Sequence, residues 1–207
     1  MSPLWGTAII RISAKPATAS VFLLTALLIA AAPLLAFGSA HFYRIDSAAS
    51  NAHAKVAFMG LSSKTARFPK ISGNISLNPA RLRQISLNVN IDARALKAGG
   101  GITEKRLKGK DFFYVARYPT VRFTGKTLTM TSAKTGRVSG RLTARGVTRP
   151  VTLMVKFSSP PAQASGKENI LLTATTVINR RNFGMTAYSG VVGKKVTIAV
   201  KARMLPR

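Results

Sequence analysis

Apolar and polar residues alternate with a period of two along several short stretches of this chain. The pattern is clearest in residues 84–93, 151–157 and 196–203. Weaker examples occupy residues 52–58, 68–77, 120–130 and 137–144. Successive side chains of a β-strand point to opposite faces, so this pattern predicts half-buried antiparallel strands with one dry and one wet face. The chain is therefore predicted to be all-β.

Strands with a single apolar face must either close into a barrel or stack as two sheets. About eight antiparallel strands close around an interior that is filled by side chains or holds one small ligand. Periodicity alone does not choose between these outcomes. Residues 98–119 break the alternation and begin with three glycines, and they predict a short helical insertion near residues 102–115. Thr103 is the predicted cap of that helix, with Glu104 in its first turn.

The first forty residues predict an export signal. Arg11 and Lys15 precede an uncharged apolar run at residues 21–37, which small residues follow at 38–40. Cleavage there would leave residues 41–207 as one mature domain. The alternative is an uncleaved membrane anchor, but seventeen apolar residues interrupted by a proline fall short of the roughly 20 that span a bilayer. We therefore expect a cleaved signal peptide and a periplasmic protein.

The charge of the predicted mature domain is extreme. Thirty basic residues face five acidic ones, which gives a net charge of about +25. Such a surface favours anionic partners, including the surface of an anionic membrane. Export argues against nucleic acid as the partner. The sequence contains no cysteine, so no disulfide supports the fold.

Side chains suited to catalysis or metal binding are scarce. The five carboxylates are isolated in sequence, only two histidines are present, and no thiolate is available. Metal sites and acid–base or nucleophilic catalysis usually need several of these groups. The sequence predicts no catalytic residue, no metal site and no cofactor.

Four stretches, taken in order, resemble the YceI-like family of bacterial periplasmic proteins. They are KGKDFFYVARYPTVRF (108–123), GRLTARGVTRPVTL (140–153), INRRNFGM (178–185) and VGKKVTI (192–198). The opening YRID (43–46) and RFPKISGNISL (67–77) also fit. The resemblance implies an extended, closed, eight-stranded lipocalin-like barrel with an elongated apolar tunnel. It also implies binding, storage or transport of a long-chain amphiphile, such as a polyisoprenoid, an isoprenoid quinone or a fatty-acid derivative.

Inward-facing apolar residues of such a barrel would hold the ligand, together with residues of the motifs above. The candidate ligand-binding residues are Ala54, Val56, Phe58, Phe68, Ile75, Leu87, Val89, Phe112, Phe113, Phe123, Leu142, Leu153, Arg180, Phe183 and Met185. Phe112 and Phe113 either line the tunnel mouth or plug the barrel end. Arg180 either has a structural role, with Asp111 as a candidate ion-pair partner, or presents its guanidinium to a polar ligand head.

The chain departs from the family pattern near its start and in the helical insertion. Ala52 and Ala54 stand where the family usually has larger apolar residues. Phe58 and Arg106 stand where the family has histidines. The small residues would widen one part of the tunnel unless their neighbours fill the space.

Two hypotheses from different classes follow. The first is a periplasmic barrel that carries one long-chain isoprenoid or related lipid in its lumen. The second is a cationic adaptor with a filled barrel that docks on anionic lipids through its outer surface. The sequence does not determine the oligomeric state, and a dimer is compatible with it.

Overall fold

The computed structural model describes residues 38–207. The strands of this part of the chain are β1 (His41–Ile45), β2 (Asn51–Phe58), β3 (Ser62–Phe68), β4 (Ile71–Leu77), β5 (Ser86–Asp92), β6 (Lys97–Ala98), β7 (Thr120–Met130), β8 (Thr135–Ala144), β9 (Val147–Phe157), β10 (Ile170–Asn179) and β11 (Val192–Pro206). Its α-helix is α1 (Gly101–Lys108), and 3-10 turns occupy Pro79–Arg81, Ala93–Ala95, Pro161–Gln163 and Arg180–Phe183. All strand pairings are antiparallel.

The strands form one closed barrel with eight strand positions around its wall, called staves here. Three of the eight staves are interrupted and consist of two short strands each. β11 pairs with β2 through Val200↔Ala52 and then with β1 through Met204↔Ile45, so β1 and β2 are two halves of one stave. β3 and β4 form the second stave, and β5 and β6 the third, because β4 pairs with β5 and β3 with β6. The pairing of β1 with β11 closes the ring. This confirms the predicted all-β, eight-stranded antiparallel barrel.

The barrel has two ends that differ in construction. At one end, called here the hairpin end, lie the loops at residues 59–61, 99–119, 145–146 and 180–191. At the other, called the terminal end, lie the loops at residues 78–85, 131–134 and 158–169 together with the C-terminus. These names follow from the up-and-down order of the staves, in which successive connections alternate between the two ends.

Large side chains close the terminal end. Tyr43, Leu77, Ile170 and Pro161 are all less than 2 % exposed. Burial raises the pKa of the Tyr43 hydroxyl, and the nearby carboxylate of Glu168 raises it further. The barrel is therefore sealed by packed core at this end.

The wall between β9 and β10 is only partly paired. The ladder runs from Leu172↔Phe157 to Thr175↔Met154 and ends there, although both strands continue toward the hairpin end. Pro150 lies in the part of β9 that pairs with β8 but not with β10, and it has no N–H to donate. The 3-10 turn Arg180–Phe183 lies beside this gap, where Arg149 Nε donates to the carbonyl oxygen of Asn182 at 3.2 Å.

The predicted helical insertion is present but shorter than expected. Helix α1 covers Gly101–Lys108, and residues 109–117 form turns rather than continuing the helix to 115. Gly100, with φ 113°, occupies the N-cap position, and no side chain caps the helix. The prediction that Thr103 caps the helix is wrong, because the glycines allow the helix to begin three residues earlier.

The predicted signal segment, residues 1–40, lies outside the described residues except for its last three. Its cleavage stays a prediction. Across residues 38–207, no helix combines the length and apolar character needed to cross a membrane.

Candidate functional site

An apolar cavity of about 180 Å³ lies inside the barrel. Every stave contributes inward-facing side chains to its wall, from Ile45 on β1 to Met204 on β11. The lining residues are almost all aliphatic or aromatic. A wall of this kind favours apolar ligands over water. The barrel interior is therefore not completely filled by its own side chains.

Most of the predicted site residues lie at the cavity wall. They are Ala54, Phe68, Ile75, Leu87, Val89, Phe113, Phe123, Leu142, Leu153, Arg180 and Met185. Whether they bind a ligand stays a prediction, but the barrel brings them together around one space. The cavity also includes residues that the prediction did not select, such as Ile198 and Val200 of β11 and Ala174 of β10. The alternation of apolar and polar residues in 196–203 could have identified Ile198 and Val200.

Four predicted residues do not line the cavity. Val56 and Phe58 keep the inward phase of β2, but they pair with Lys64 and Ser62 near the tip of the β2–β3 hairpin, beyond the cavity. The ammonium of Lys64 lies over the Phe58 ring, 5.1 Å from its centre. Phe183 was expected to point its ring into the barrel; instead it is buried beside the gap between β9 and β10.

Phe112 and Phe113 have different roles, which resolves the two alternatives for this pair. Phe113 lines the cavity and packs edge-on against Phe68, with ring centres 5.4 Å apart. Phe112, the fourth residue outside the wall, is buried and stacks on Tyr188 with ring centres 6.0 Å apart. One ring therefore faces the lumen and the other belongs to the packed hairpin end.

The cavity becomes more accessible toward the hairpin end. On β11, Ala202 and Met204 are buried, whereas Val196, Ile198 and Val200 are only half-buried. The same gradient occurs along the inward faces of β2, β9 and β10. The interior is thus open on the side formed by these four strands, near the hairpin end.

Arg180 is 3 % exposed and lies against the cavity wall. Its guanidinium donates hydrogen bonds to three backbone carbonyl oxygens, those of Met185, Val192 and Gly193. Burial lowers the pKa of Arg180, and the charge of neighbouring Arg181 lowers it further. The predicted partner Asp111 is not among its contacts. One of the three carbonyl groups lies in the 180–191 loop, and the other two lie at the start of β11. The arginine therefore holds the 180–193 segment in place.

Arg145 ties this segment to the helical insertion. Its guanidinium donates to the carbonyl oxygen of Gly184 and, at 2.6 Å, to that of Lys110. The hydrogen bonds of Arg145 and Arg180 all go to neutral carbonyl groups. They therefore need no carboxylate partner in a domain that has only five carboxylates. Within residues 38–207, no three His, Asp or Glu side chains come together in a group that could hold a metal ion.

The model of the YceI-like domain matches residues 43–204, which is nearly the whole described barrel. The chain belongs to the YceI-like family. A UPF0312 protein of Pseudomonas putida strain F1 is 30% identical over 145 residues, which cover 69% of this chain and 76% of that protein.

Solved structures show the same fold. Burkholderia cenocepacia BcnA superposes with a TM-score of 0.68 at 22% identity, covering 77% of this chain and 98% of BcnA. A polyisoprenoid binding domain from Saccharophagus degradans, implicated in plant cell wall breakdown, superposes with a TM-score of 0.61 at 15% identity, covering 80% and 98%.

Two residues expected from the sequence to depart from the family pattern, Ala54 and Arg106, lie toward the hairpin end. Ala54 leaves space at the cavity wall and is only half-buried, so its neighbours have not closed over it. Arg106, on α1, places its guanidinium over the ring of Tyr188, 5.1 Å from the ring centre. Arg106 thus joins the aromatic stack that Phe112 begins.

Proposed function

We propose that this protein binds the apolar tail of one long-chain amphiphile in its barrel cavity. The isoprenoid class, including polyisoprenoids and isoprenoid quinones, is the leading candidate, and fatty-acid derivatives are the next. The observation that carries the proposal is the continuous apolar wall around a space that the protein leaves open. The structural relative from Saccharophagus degradans, named as a polyisoprenoid binding domain, supports the same ligand class.

The energetics favour a long chain without specific polar contacts. Each methylene group that leaves water contributes about 0.8 kcal/mol, so a long tail gains affinity by length alone. The gradient of exposure gives the tail a way in from the hairpin end, whereas the terminal end is sealed. A polar head would then remain near the hairpin end, outside the apolar wall.

The proposed role is binding, storage or transport rather than catalysis. The residues that line the cavity include no aspartate or glutamate, and the chain has no cysteine. The predicted signal segment supports work in the periplasm, where a carrier would shield an insoluble tail from water. The open cavity favours this function over an adaptor with a filled barrel.

Native mass spectrometry of the protein purified from its own host tests the proposal. We expect a fraction of the protein to carry a single lipid of defined mass, which organic extraction then releases for identification. Stripped protein should take up an isoprenoid quinone with one-to-one stoichiometry. Protein that arrives without lipid and takes up neither isoprenoid quinones nor fatty-acid derivatives would rule the function out.

A further inference from the structure

Three apolar residues are exposed together at the hairpin end. Leu61 is 97 % and Met59 64 % exposed in the turn between β2 and β3, and Val191 is 39 % exposed in the adjoining loop. The amide of Met59 donates to the carbonyl oxygen of Val191 at 2.8 Å, so the two segments are in contact. We call Met59, Leu61 and Val191 the apolar tip. Contiguous exposed apolar residues mark a surface that contacts a partner or a membrane.

The hairpin that carries the apolar tip extends past its neighbouring strand on one side, the side of β3. β2 and β3 stay paired as far as Phe58↔Ser62. On the other side of β3, the pairing with β6 stops at Ala66↔Ala98. The first four residues of β3, residues 62–65 next to the turn, are all exposed. The hairpin therefore lacks a neighbouring strand beside residues 62–65 of β3, whereas on its β2 side it pairs with β11 as far as Phe58↔Val192. Its exposed residues at the hairpin end can reach a flat surface.

Backbone strain is concentrated at the same end. Among residues 38–207, four non-glycine residues have positive φ: Met59, Tyr114, Arg145 and Tyr188. All four lie in the loops of the hairpin end. Positive φ is unfavourable for such residues, and strain of this kind collects at functional sites. Met59, at φ 52°, keeps a large apolar side chain in a turn position that glycine or asparagine usually occupies.

The segments that carry the apolar tip are purely cationic. Residues 51–68 and 186–201 contain six lysines and arginines and no aspartate or glutamate. Lys55, Lys64, Lys194 and Lys195 are exposed close to the tip. An apolar tip flanked by lysines matches the two signals that bind a protein to an anionic bilayer, namely apolar insertion and attraction to lipid headgroups.

We propose that the apolar tip inserts into the interface of an anionic lipid bilayer, with the flanking lysines on the headgroup phosphates. A soluble anionic polymer would satisfy the lysines but would leave Met59 and Leu61 in water, so a bilayer fits the surface better. Because the cavity is most accessible near the same end, docking in this orientation turns its opening toward the membrane. The proposal rests on surface residues and holds whether or not the cavity carries an isoprenoid.

The absence of cysteine in the chain allows a direct test. The protein is prepared in the form that its host produces, with Leu61→Cys labelled by an environment-sensitive nitrobenzoxadiazole probe. Phe42→Cys, at a residue that is 60 % exposed at the terminal end, carries the same probe as the matched control. Vesicles of phosphatidylcholine alone are compared with vesicles that also contain phosphatidylglycerol. We expect the probe at position 61 to brighten and shift to the blue with the anionic vesicles only, and the probe at position 42 to stay unchanged.

Unlabelled variants separate the apolar and the cationic contributions. Leu61→Ser should weaken sedimentation with anionic vesicles about tenfold, as expected for loss of one buried leucine. Leu171→Ser, at a residue that is 46 % exposed on the barrel wall, should leave it unchanged. The double substitution Lys64→Gln and Lys194→Gln should weaken it and reduce its dependence on salt.

Three results would overturn the proposal: equal probe responses at positions 61 and 42, binding that ignores lipid charge, or a response at 61 that grows with protein concentration without vesicles. The last would indicate that a second copy covers the tip. Lipid cargo is measured on the same variants. If Leu61→Ser loses vesicle binding but still carries its lipid, membrane docking by the apolar tip is independent of lipid binding in the cavity.

Discussion

The guanidinium carbon of Arg180 lies 5.8 Å from the centre of the Phe112 ring, and both side chains are buried. The same guanidinium donates to the carbonyl oxygens of Met185, in the 180–191 loop, and of Val192 and Gly193, at the start of β11. Phe112 in turn stacks on Tyr188, which Arg106 covers from α1. This layer of two stacked rings between two arginines joins the helical insertion to the 180–191 loop at the hairpin end.

Arg180→Met should lower the free energy of unfolding by about 3 kcal/mol, because one buried and two half-buried carbonyl groups lose their donor. Arg181→Met, at the exposed neighbour, should change it by less than about 0.5 kcal/mol. Chemical denaturation of both variants measures the difference. Equal losses in the two variants would show that the hydrogen bonds of Arg180 do not stabilise the loop.

Three glycine substitutions separate backbone strain from steric contact. Gly146, at φ 74° in the β8–β9 turn, would place a Cβ 2.7 Å from Cε1 of Tyr118. Gly60 has φ 70° but open space around it, and Gly190 has open space without a positive φ. We expect Gly190→Ala to be neutral, Gly60→Ala to cost about 1 kcal/mol, and Gly146→Ala to cost about 2–3 kcal/mol. Melting temperatures should fall in that order, and a Gly146→Ala variant as stable as Gly60→Ala would mean that Tyr118 moves aside freely.

The alternation of apolar and polar residues predicted the phase of the barrel strands because one face of each strand is in contact with the interior. It predicted Leu87 and Val89 on β5 and Leu153 on β9 at the wall, where the structure places them. The same pattern could not show where the cavity ends along a strand. Val56 and Phe58 follow the inward phase, yet no cavity lies beside them at the hairpin tip.

Residues outside regular strands were harder to place from sequence. Phe112 and Phe113 are consecutive residues in a turn, so periodicity could not decide which ring faces the lumen. The contacts of Arg180 depend on how residues 185–193 fold back over it, which a list of nearby carboxylates in the sequence does not reveal. The charge of Asp111 made it a reasonable partner for Arg180, but three backbone carbonyl oxygens accept hydrogen bonds from the arginine instead.

Acid should remove the contribution of Asp46. The side chain of Arg203 donates to its carboxylate, with Nε 2.7 Å from Oδ2, and this hydrogen bond holds the pKa of Asp46 below its usual value. A carboxylate whose pKa is lowered in the folded state stabilises the fold above its unfolded pKa, and this stabilisation is lost as the pH falls through the folded pKa. Asp46→Asn should therefore melt at a lower temperature than the parent chain at neutral pH. The gap should close as the pH falls below the ordinary aspartate value of 3.8.

The exposed Asp111 supplies the control for this pH series. Asp111→Asn removes an exposed carboxylate that forms no ion pair, so it should melt with the parent chain at neutral pH, where Asp46→Asn melts lower. A gap between Asp46→Asn and the parent chain that persists unchanged at low pH would show that the asparagine disturbs the β1–β2 break by another route.

Ala54→Phe tests whether the space at the first barrel stave is available to a ligand. Ala54 lies at the cavity wall, opposite Ala66 on β3 and Ile198 on β11. Since the wall is open beside this half-buried alanine, the added ring should occupy ligand volume and weaken lipid uptake while the melting temperature changes little. If the neighbouring side chains already fill the space, overpacking should instead cost about 1–3 kcal/mol of stability.

The control is Ala199→Phe, which adds the same ring at an exposed position of β11 and should change neither lipid uptake nor melting temperature. Lipid uptake and melting temperature are measured on both variants, and an Ala54→Phe protein that matches Ala199→Phe in both would mean that Ala54 does not face the ligand.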